Sequence, residues 1–230
     1  SWNHKRVYRV YVSKGMSIRR KAKKRLPTRS AISMSYPIDA NICWSMDFMH
    51  DKVWEGRSFR TWNVIDDFNR EVLSIAVDTS ISSHRVVREL DRLIEWRGKP
   101  QFIRVDNGPE FIAARMQAWC DTHQIELRFI QAGKPTQNSL IERFNRTYRD
   151  EVLDLYCFES VSQVRELTQE WMWVYNTERP HDSLGNVPPR TFLLKYGKVQ
   201  PPCALPDFPT FQQDQQYFYL ENSLITTVAK

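Results

Sequence analysis

The order in which strand and helix periodicities follow one another between residues 41 and 131 constrains the fold most strongly. Apolar residues alternate with smaller or polar ones from Asn41 to Met49, which predicts a strand with one buried face. Two further strand-like runs, 61–68 and 71–78, are separated by only the polar pair Asn69 and Arg70. These three segments predict an antiparallel meander.

The next segments alternate between helical and strand-like patterns. A helix is predicted from Ser82 until Gly98, followed by strands at 102–105 and 127–130 with one helix between them. Two more helices are predicted within 139–176. Three antiparallel strands followed by helix, strand, helix and strand predict an α/β fold, with a mixed sheet flanked by helices.

Charge is distributed unevenly along the chain. Residues 1–30 hold eleven Lys and Arg and no Asp or Glu, whereas the remaining residues carry a net charge of −5, which together make +6. A basic arm beside a mildly acidic domain suits binding of a phosphate polymer, although a solvated tail is the alternative. We predict one short helix in this arm before six cations that are DNA-binding candidates: Arg19, Arg20, Lys21, Lys23, Lys24 and Arg25.

Composition sets the remaining boundaries. We predict a basic arm at 1–38, a core domain at 39–197 and a largely irregular tail at 198–230, with irregular structure already expected from Pro188 because Pro and Gln accumulate there.

No window approaches the about 18 consecutive apolar residues of a membrane span, so no membrane partner is expected. The cysteines lie far apart, which disfavours a zinc ribbon or disulfide framework and favours the cytoplasm.

Three acidic residues stand out by position among the 27 in the chain. Asp47 lies inside an apolar strand, Asp106 directly follows the strand 102–105, and Glu142 lies in the helix after the loop 132–138. Functional groups of open α/β sheets gather at strand ends, which makes these acids candidate ligands.

Clustered carboxylates repel one another unless a cation compensates them. Hard oxygen ligands select Mg²⁺ or Mn²⁺ over zinc. Two such ions, about 3.5 to 4 Å apart, can activate a nucleophile and stabilise the leaving oxygen in attack on a phosphodiester. Each acid also has a structural explanation: Asp47 could cap a turn or pair with an arginine, Asp106 could begin a turn, and Glu142 could pair with Arg146 at i,i+4 spacing.

Spacing and flanking residues together make the pattern more specific than any single acid. There are 58 residues between Asp47 and Asp106, and 35 between Asp106 and Glu142. The surrounding motifs are WSMDF at 44–48, VIDDFNR at 64–70, DNGPEF at 106–111, GKPTQNSLIERFN at 133–145 and YNTERPH at 175–181. In these motifs, residues 41–195 resemble the catalytic half of bacterial insertion-sequence transposases of the OrfB type, in the retroviral-integrase-like superfamily.

The resemblance implies an RNase H-like fold and maps the Asp, Asp, Glu triad of the family onto Asp47, Asp106 and Glu142. It implies a DNA transposase that uses Mg²⁺ or Mn²⁺, with two ions, for 3′-end cleavage and strand transfer. Its expected partners are double-stranded DNA at the element ends and target, further copies of the chain, and an upstream helix-turn-helix unit. The expected location is the bacterial cytoplasm, at the nucleoid.

Further DNA-binding candidates surround the triad. Arg146 and Arg149 share a helix face with Glu142, beside an apolar stripe of Ile141, Phe144, Tyr148 and Val152. Lys134 and Asn138 lie in the preceding loop, and Asn107 could orient Asp106 or touch DNA.

Three alternatives stay open. Asp66 and Asp67 are rival ligands because they too end a strand, although the resemblance makes them structural. At the level of function, an RNase H-like nuclease that only hydrolyses and a non-catalytic DNA-binding remnant are the alternatives to a transposase.

Overall fold

The computed structural model describes residues 3–16, 37–131 and 135–198, with only the backbone described at 135 and 136. The chain divides into two compact units, Ser1–Met34 and Ser35–Lys230. In the first unit, helix α1 spans His4–Ser13 and begins where the Asn3 side chain accepts a hydrogen bond from the Lys5 amide. The short helix expected in the basic arm is therefore confirmed. The predicted cation run at 19–25 and the tail at 199–230 lie outside the described residues.

The second unit contains a five-stranded mixed sheet. Its strands are β1 (Cys43–Lys52), β2 (Ser58–Asp66), β3 (Val72–Asp78), β4 (Phe102–Val105) and β5 (Glu126–Phe129), in the order β3-β2-β1-β4-β5. The first three strands are antiparallel, whereas β4 pairs parallel to β1 and β5 parallel to β4. The predicted meander and mixed sheet are confirmed.

The central strand β1 differs from its prediction. The alternation from Asn41 to Met49 predicted one buried face, but residues 43 to 46 are all buried. The reason is position: β1 is the middle strand, and helices cover both faces of the sheet. A small side chain such as Ser45 can occupy the second buried face without any apolar signal in the sequence.

Helices α2 (Ser83–Arg97), α3 (Pro109–Ile112) and α4 (Ala114–His123) follow the meander. The core on this face joins α2 and α4 to Trp44, Met46, Trp62 and Val64 of the sheet. A single helix was predicted over the stretch that α3 and α4 occupy. That prediction is wrong, because Ala113 adopts an extended conformation, with φ −55° and ψ 134°, and divides the stretch into two helices.

The opposite face of the sheet is covered by α5 (Ser139–Tyr148), its π-helical continuation at Arg149–Leu153, and α6 (Val161–Thr177). The Tyr148 hydroxyl lies 2.6 Å from Thr168 Oγ1 and joins α5 to α6. Asn176 bonds both the amide and the carbonyl of Val72 at 2.9 Å, which fastens α6 to β3.

A final helix, α7 (Pro189–Tyr196), lies where irregular structure was expected from Pro188 onward. That expectation is wrong for this segment because α7 docks on the sheet unit: Arg190 lies 3.4 Å from the buried Glu71, and the Phe192 ring contacts Phe68. Tertiary contacts thus stabilise a segment whose composition favours loops. None of the helices in the described ranges has the length and hydropathy that crossing a bilayer requires.

Candidate active site

Strand pairing places two of the predicted acids side by side. β1 and β4 run parallel, with Ser45 beside Arg104. Continuing this register brings Asp47 level with Asp106, the first residue after β4. Paired residues of parallel strands direct their side chains to the same face of the sheet. Although 58 residues separate them in the sequence, Asp47 and Asp106 therefore lie side by side.

Asp47 is partly buried and surrounded by groups that act on its charge. Its carboxylate accepts hydrogen bonds from the Phe48 amide at 2.8 Å and from Asn145 Nδ2 at 2.7 Å, and both favour the charged form. Burial and the negative charges of Asp106 and Glu142 outweigh these bonds and raise the pKa of Asp47 from 3.8 to about 6. Asp106 and Glu142 are thus close enough to act on the charge of the Asp47 carboxylate.

Helix α5 carries Glu142 to this position. Ile141, Phe144, Tyr148 and Val152 are all buried, so the predicted apolar stripe is confirmed. Between them lies Asn145, which donates to Asp47 and accepts a 2.7 Å hydrogen bond from Asn63 of β2. Asn145 therefore fastens α5 to two strands, and Glu142, one turn earlier, remains exposed.

The loop after β4 holds Asp106 in place. The Gly108 amide donates a 3.0 Å hydrogen bond to Asp106 Oδ1. A Cβ at position 108 would lie only 3.0 Å from that same oxygen, so glycine allows this close approach. Asn107 is exposed and donates to the Ile130 carbonyl at 3.3 Å, which joins this loop to the residue after β5.

The chemistry of the donors bears on metal binding. Carboxylate oxygens favour Mg²⁺ or Mn²⁺ over zinc. Within residues 3–16, 37–131 and 135–198, no group of three or more His, Cys, Asp and Glu side chains could hold a metal ion. Asp106 and Glu142 nevertheless add negative charge beside the partly buried Asp47, which a cation would relieve. The donor chemistry therefore suits a divalent cation, although the described side chains do not form a site that could hold one.

The rival acids have structural partners. Asp66 is fully buried and accepts hydrogen bonds from the Asn41 and Phe68 amides at 2.8 and 2.9 Å, while burial raises its pKa to about 6. Asp67 is bound by Arg104 at 2.7 Å. Both residues are fully buried, and their carboxylates are bonded to other groups of the fold.

The predicted DNA contacts fall into different environments. Arg146 is exposed and, in the described part of the chain, forms no ion pair with Glu142, so the i,i+4 pairing considered above is absent. Arg149 instead binds Asp51 at 3.0 Å and also lies 3.4 Å from Asp154. Asn138 was predicted to contact DNA from the loop before α5, but the residue is buried, at 2% exposure. Lys134 lies outside the described residues.

Two residues near the acids were missed by the sequence reasoning. Arg143 is exposed and lines an open depression of about 200 Å³ together with Ser139, Glu142 and Arg146. Its spacing from Arg146 was a usable signal, since i,i+3 residues are neighbours on a helix. Asn145 was signalled by being a small polar residue inside an apolar stripe.

Comparison with known proteins assigns the chain to a family. Residues 39–135 match the integrase core domain family, and residues 123–189 match a second family of the same description. A 39.2 kDa protein of insertion element IS476 from Xanthomonas euvesicatoria is 40% identical over 93% of this chain and 62% of its own length. A 31.7 kDa protein of insertion element IS407 from Burkholderia multivorans is 39% identical over 84% of this chain and 70% of its own length.

The chain belongs to the bacterial insertion-sequence transposases with an integrase core. It spans less than two thirds of the length of the Xanthomonas relative. The catalytic core of HTLV-2 integrase, solved in complex with magnesium, matches this chain with a TM-score of 0.52 at 20% identity, over 65% of this chain and 95% of that one. This likeness and the sheet order confirm the predicted RNase H-like α/β fold.

Proposed function

We propose that this transposase catalyses metal-dependent cleavage at DNA 3′ ends and joins the resulting hydroxyl to a second DNA. The observation that carries the proposal is geometric: parallel pairing brings Asp47 level with Asp106, and the hydrogen bond from Asn145 holds α5, which carries Glu142, against Asp47. Burial, with Asp106 and Glu142 nearby, also raises the pKa of Asp47, and such a perturbed acid is typical of functional sites.

In this proposal Asp47, Asp106 and Glu142 hold Mg²⁺ or Mn²⁺, two ions in the full site, which when bound polarise the phosphodiester and activate the attacking oxygen. Asn145 orients the Asp47 carboxylate, and the Gly108 amide orients that of Asp106. Exposed arginines of α5 bind the flanking phosphates and align the strand. The same alignment serves water in cleavage and the 3′ hydroxyl in joining, because positioning determines which oxygen attacks.

The partners that follow from this function are double-stranded DNA at the element ends and at the target, and additional copies of the chain that bring two ends together. A helix-turn-helix unit, supplied upstream or by a partner, would recognise the ends. Such an activity on chromosomal DNA would take place in the bacterial cytoplasm, at the nucleoid.

The proposal is tested with a labelled duplex that ends in a 3′ hydroxyl and a plasmid target, in Mg²⁺ or Mn²⁺. We expect Asp47→Ala, Asp106→Ala and Glu142→Ala each to reduce joining by at least about a hundredfold, since each removes a ligand of the proposed ions. Glu166→Ala, which removes an exposed acid from α6, serves as the matched control and should join normally.

Two results would contradict this function. Plasmid nicking without any joined product would favour a nuclease that only hydrolyses. DNA binding without metal-dependent nicking would favour a non-catalytic remnant. Full activity in all three variants would overturn the assignment of the acids.

A further inference from the structure

The loop that follows Asp106 is attached to the sheet at its far end. The Glu110 carboxylate forms an ion pair with the Arg60 guanidinium of β2, and the two side chains are only 16% and 22% exposed. The next residue, Phe111, is fully buried, and its ring centroid lies 5.1 Å from that of Phe48 in β1. Only three residues separate Asp106 from Glu110, so the attachment restricts where Asp106 can lie.

Strand pairing does not by itself hold the two acids together. Asp47 and Asp106 lie two residues beyond the last paired residues of β1 and β4. The bond from the Gly108 amide to Asp106 is internal to the loop and can move with it. The bond from Asn107 reaches the Ile130 carbonyl after β5, on the side of β4 away from β1. Attachment on the side of β1 therefore comes from the ion pair with β2 and the adjoining ring contact.

Arg60 contacts the surroundings of both acids. Besides its pair with Glu110, its guanidinium carbon lies 4.4 Å from the centroid of the Phe48 ring, which is a cation–π contact. Phe48 directly follows Asp47, and its amide donates the 2.8 Å hydrogen bond to the Asp47 carboxylate. One guanidinium thus contacts the residue after Asp47 and, through Glu110, the loop after Asp106.

The charge of Glu110 suits this attachment. Burial raises the pKa of Glu110, but the hydrogen bond and the charge of Arg60 outweigh it and lower that pKa overall. The carboxylate is therefore ionised at neutral pH. A charge-assisted bond between a carboxylate and a planar guanidinium is both stronger and more directional than a neutral hydrogen bond.

We propose that Arg60 and Glu110 are positioning residues that hold Asp106 beside Asp47 at one separation. Neither side chain has to touch DNA or the reacting atoms, since both act through the Phe48 ring and the backbone of the loop. The role rests on the proposed function, because a fixed separation matters only if both acids act on one phosphodiester.

The first test is the kinetics of joining by the full chain. We expect Arg60→Gln and Glu110→Gln each to lower turnover at saturating DNA by about 10- to 100-fold, the usual cost of removing a group that orients a catalytic ligand. The KM for DNA should stay within about twofold of the wild type, since no DNA contact is lost. Arg60→Lys keeps the charge beside Glu110 and should recover part of the turnover, which a loss of packing alone does not explain.

Arg128→Gln is the matched control. Arg128 also pairs with a glutamate, Glu126 at 2.6 Å, and also lies over a phenylalanine ring, that of Phe102 at 3.6 Å. Phe102 begins β4, whereas Asp106 follows the end of that strand. Arg128→Gln therefore removes the same kind of contacts at the opposite end of β4 and should keep the turnover of the wild type.

The second test is hydrogen exchange measured by NMR in EDTA without DNA, which does not depend on activity. The Gly108 amide donates to Asp106, and the Phe111 amide donates to the Gly108 carbonyl. We expect exchange at these two amides to become at least about tenfold faster in Arg60→Gln and Glu110→Gln, because the loop opens locally. Exchange at the buried Trp44 and Met46 should stay within about twofold, because the sheet remains folded.

The two tests together separate this inference from the function. If the wild type joins DNA, turnover or exchange that is unchanged in both variants would overturn the positioning role, and so would faster exchange at Trp44 and Met46 equal to that at Gly108. If Arg60→Gln does not fold, Glu110→Gln alone decides, since it keeps the size of a partly exposed side chain. Faster local exchange in a chain that joins no DNA leaves the attachment of the loop standing and refutes the function.

Discussion

Asp47 combines partial burial with like charges nearby, and both make its ionised form costly. Its two hydrogen bonds, from the Phe48 amide and Asn145, reduce this cost without removing it. The folded chain thus stores unfavourable free energy at one carboxylate. A cation bound by the three acids would release it, which links folding of this site to metal binding.

This electrostatic cost predicts that the difference in unfolding free energy between the wild type and Asp47→Asn changes with pH. The pKa of Asp47 is about 6 in the folded chain against 3.8 for the free group, so the folded state binds the proton more tightly. Its contribution favours folding at low pH and is lost as pH rises through about 6. Without metal, we expect Asp47→Asn to gain stability relative to the wild type between pH 4 and 7.5, on the order of 1 to 2 kcal/mol after solvent screening.

Urea unfolding of both proteins in EDTA at several pH values measures this difference. The variant loses one acceptor, since an amide NH₂ group replaces one of the two carboxylate oxygens, and this loss shifts its stability equally at every pH. Only the change with pH reports the titration. A difference that stays constant from pH 4 to 7.5 would contradict the raised pKa.

At the scale of elements, the position of α5 on the sheet determines the geometry of the site. Its apolar stripe supplies the burial that holds it there, but an apolar stripe alone can slide by a turn. Polar contacts with fixed partners select one register. Asn145 bonds Asp47 and Asn63, and Arg149 bonds Asp51. The π-helical segment that follows widens the last turn, as such segments often do near functional sites.

Asn145→Ala tests this attachment. The substitution removes a donor from Asp47 and leaves the buried Asn63 amide without its acceptor. We expect a loss of about 1 to 3 kcal/mol in unfolding free energy. We also expect joining to fall while DNA affinity is retained, because the exposed arginines of α5 stay unchanged.

The double variant with Asn63→Ala provides the control. If the two amides act as a pair, its loss of stability is smaller than the sum of the single losses. Additive losses, or an Asn145→Ala protein as stable as the wild type, would show that the contact does not hold α5 in place.

At the scale of the whole molecule, charge is segregated along the chain. The first 30 residues carry +11 and the rest −5. A protein domain with a net negative charge and an acidic site gains little from long-range attraction to DNA. The cationic arm can supply that attraction, and the exposed arginines of α5 can then align the DNA locally.

Replacing the six cations from Arg19 to Arg25 with glutamine tests this division. We expect the slope of log DNA affinity against log salt to fall by up to about 5, since each neutralised phosphate contributes about 0.9. Thermal unfolding of the core domain should stay unchanged. The double variant Arg88→Gln, Arg115→Gln removes exposed charge from α2 and α4 and serves as the control. An unchanged slope in the six-residue variant would show that the arm does not contribute to DNA binding.

Much of this molecule was determined by the sequence alone. Strand alternation, the apolar stripe of α5, the basic arm and the spacing of three acids are all properties of short windows or of counting along the chain. The bounds of β4 and the face buried by α5 were predicted correctly for this reason, since periodicity is a local signal.

Other features were decided only by the tertiary structure. Parallel pairing of β1 with β4 makes Asp47 and Asp106 neighbours, and the fold pairs Arg149 with Asp51. Docking on Glu71 and Phe68 turns the segment after Pro188 into a helix. Each of these outcomes depends on a partner remote in the chain. A local pattern carries no information about which partner a side chain meets, because that choice is made by packing of the whole sheet and its helices.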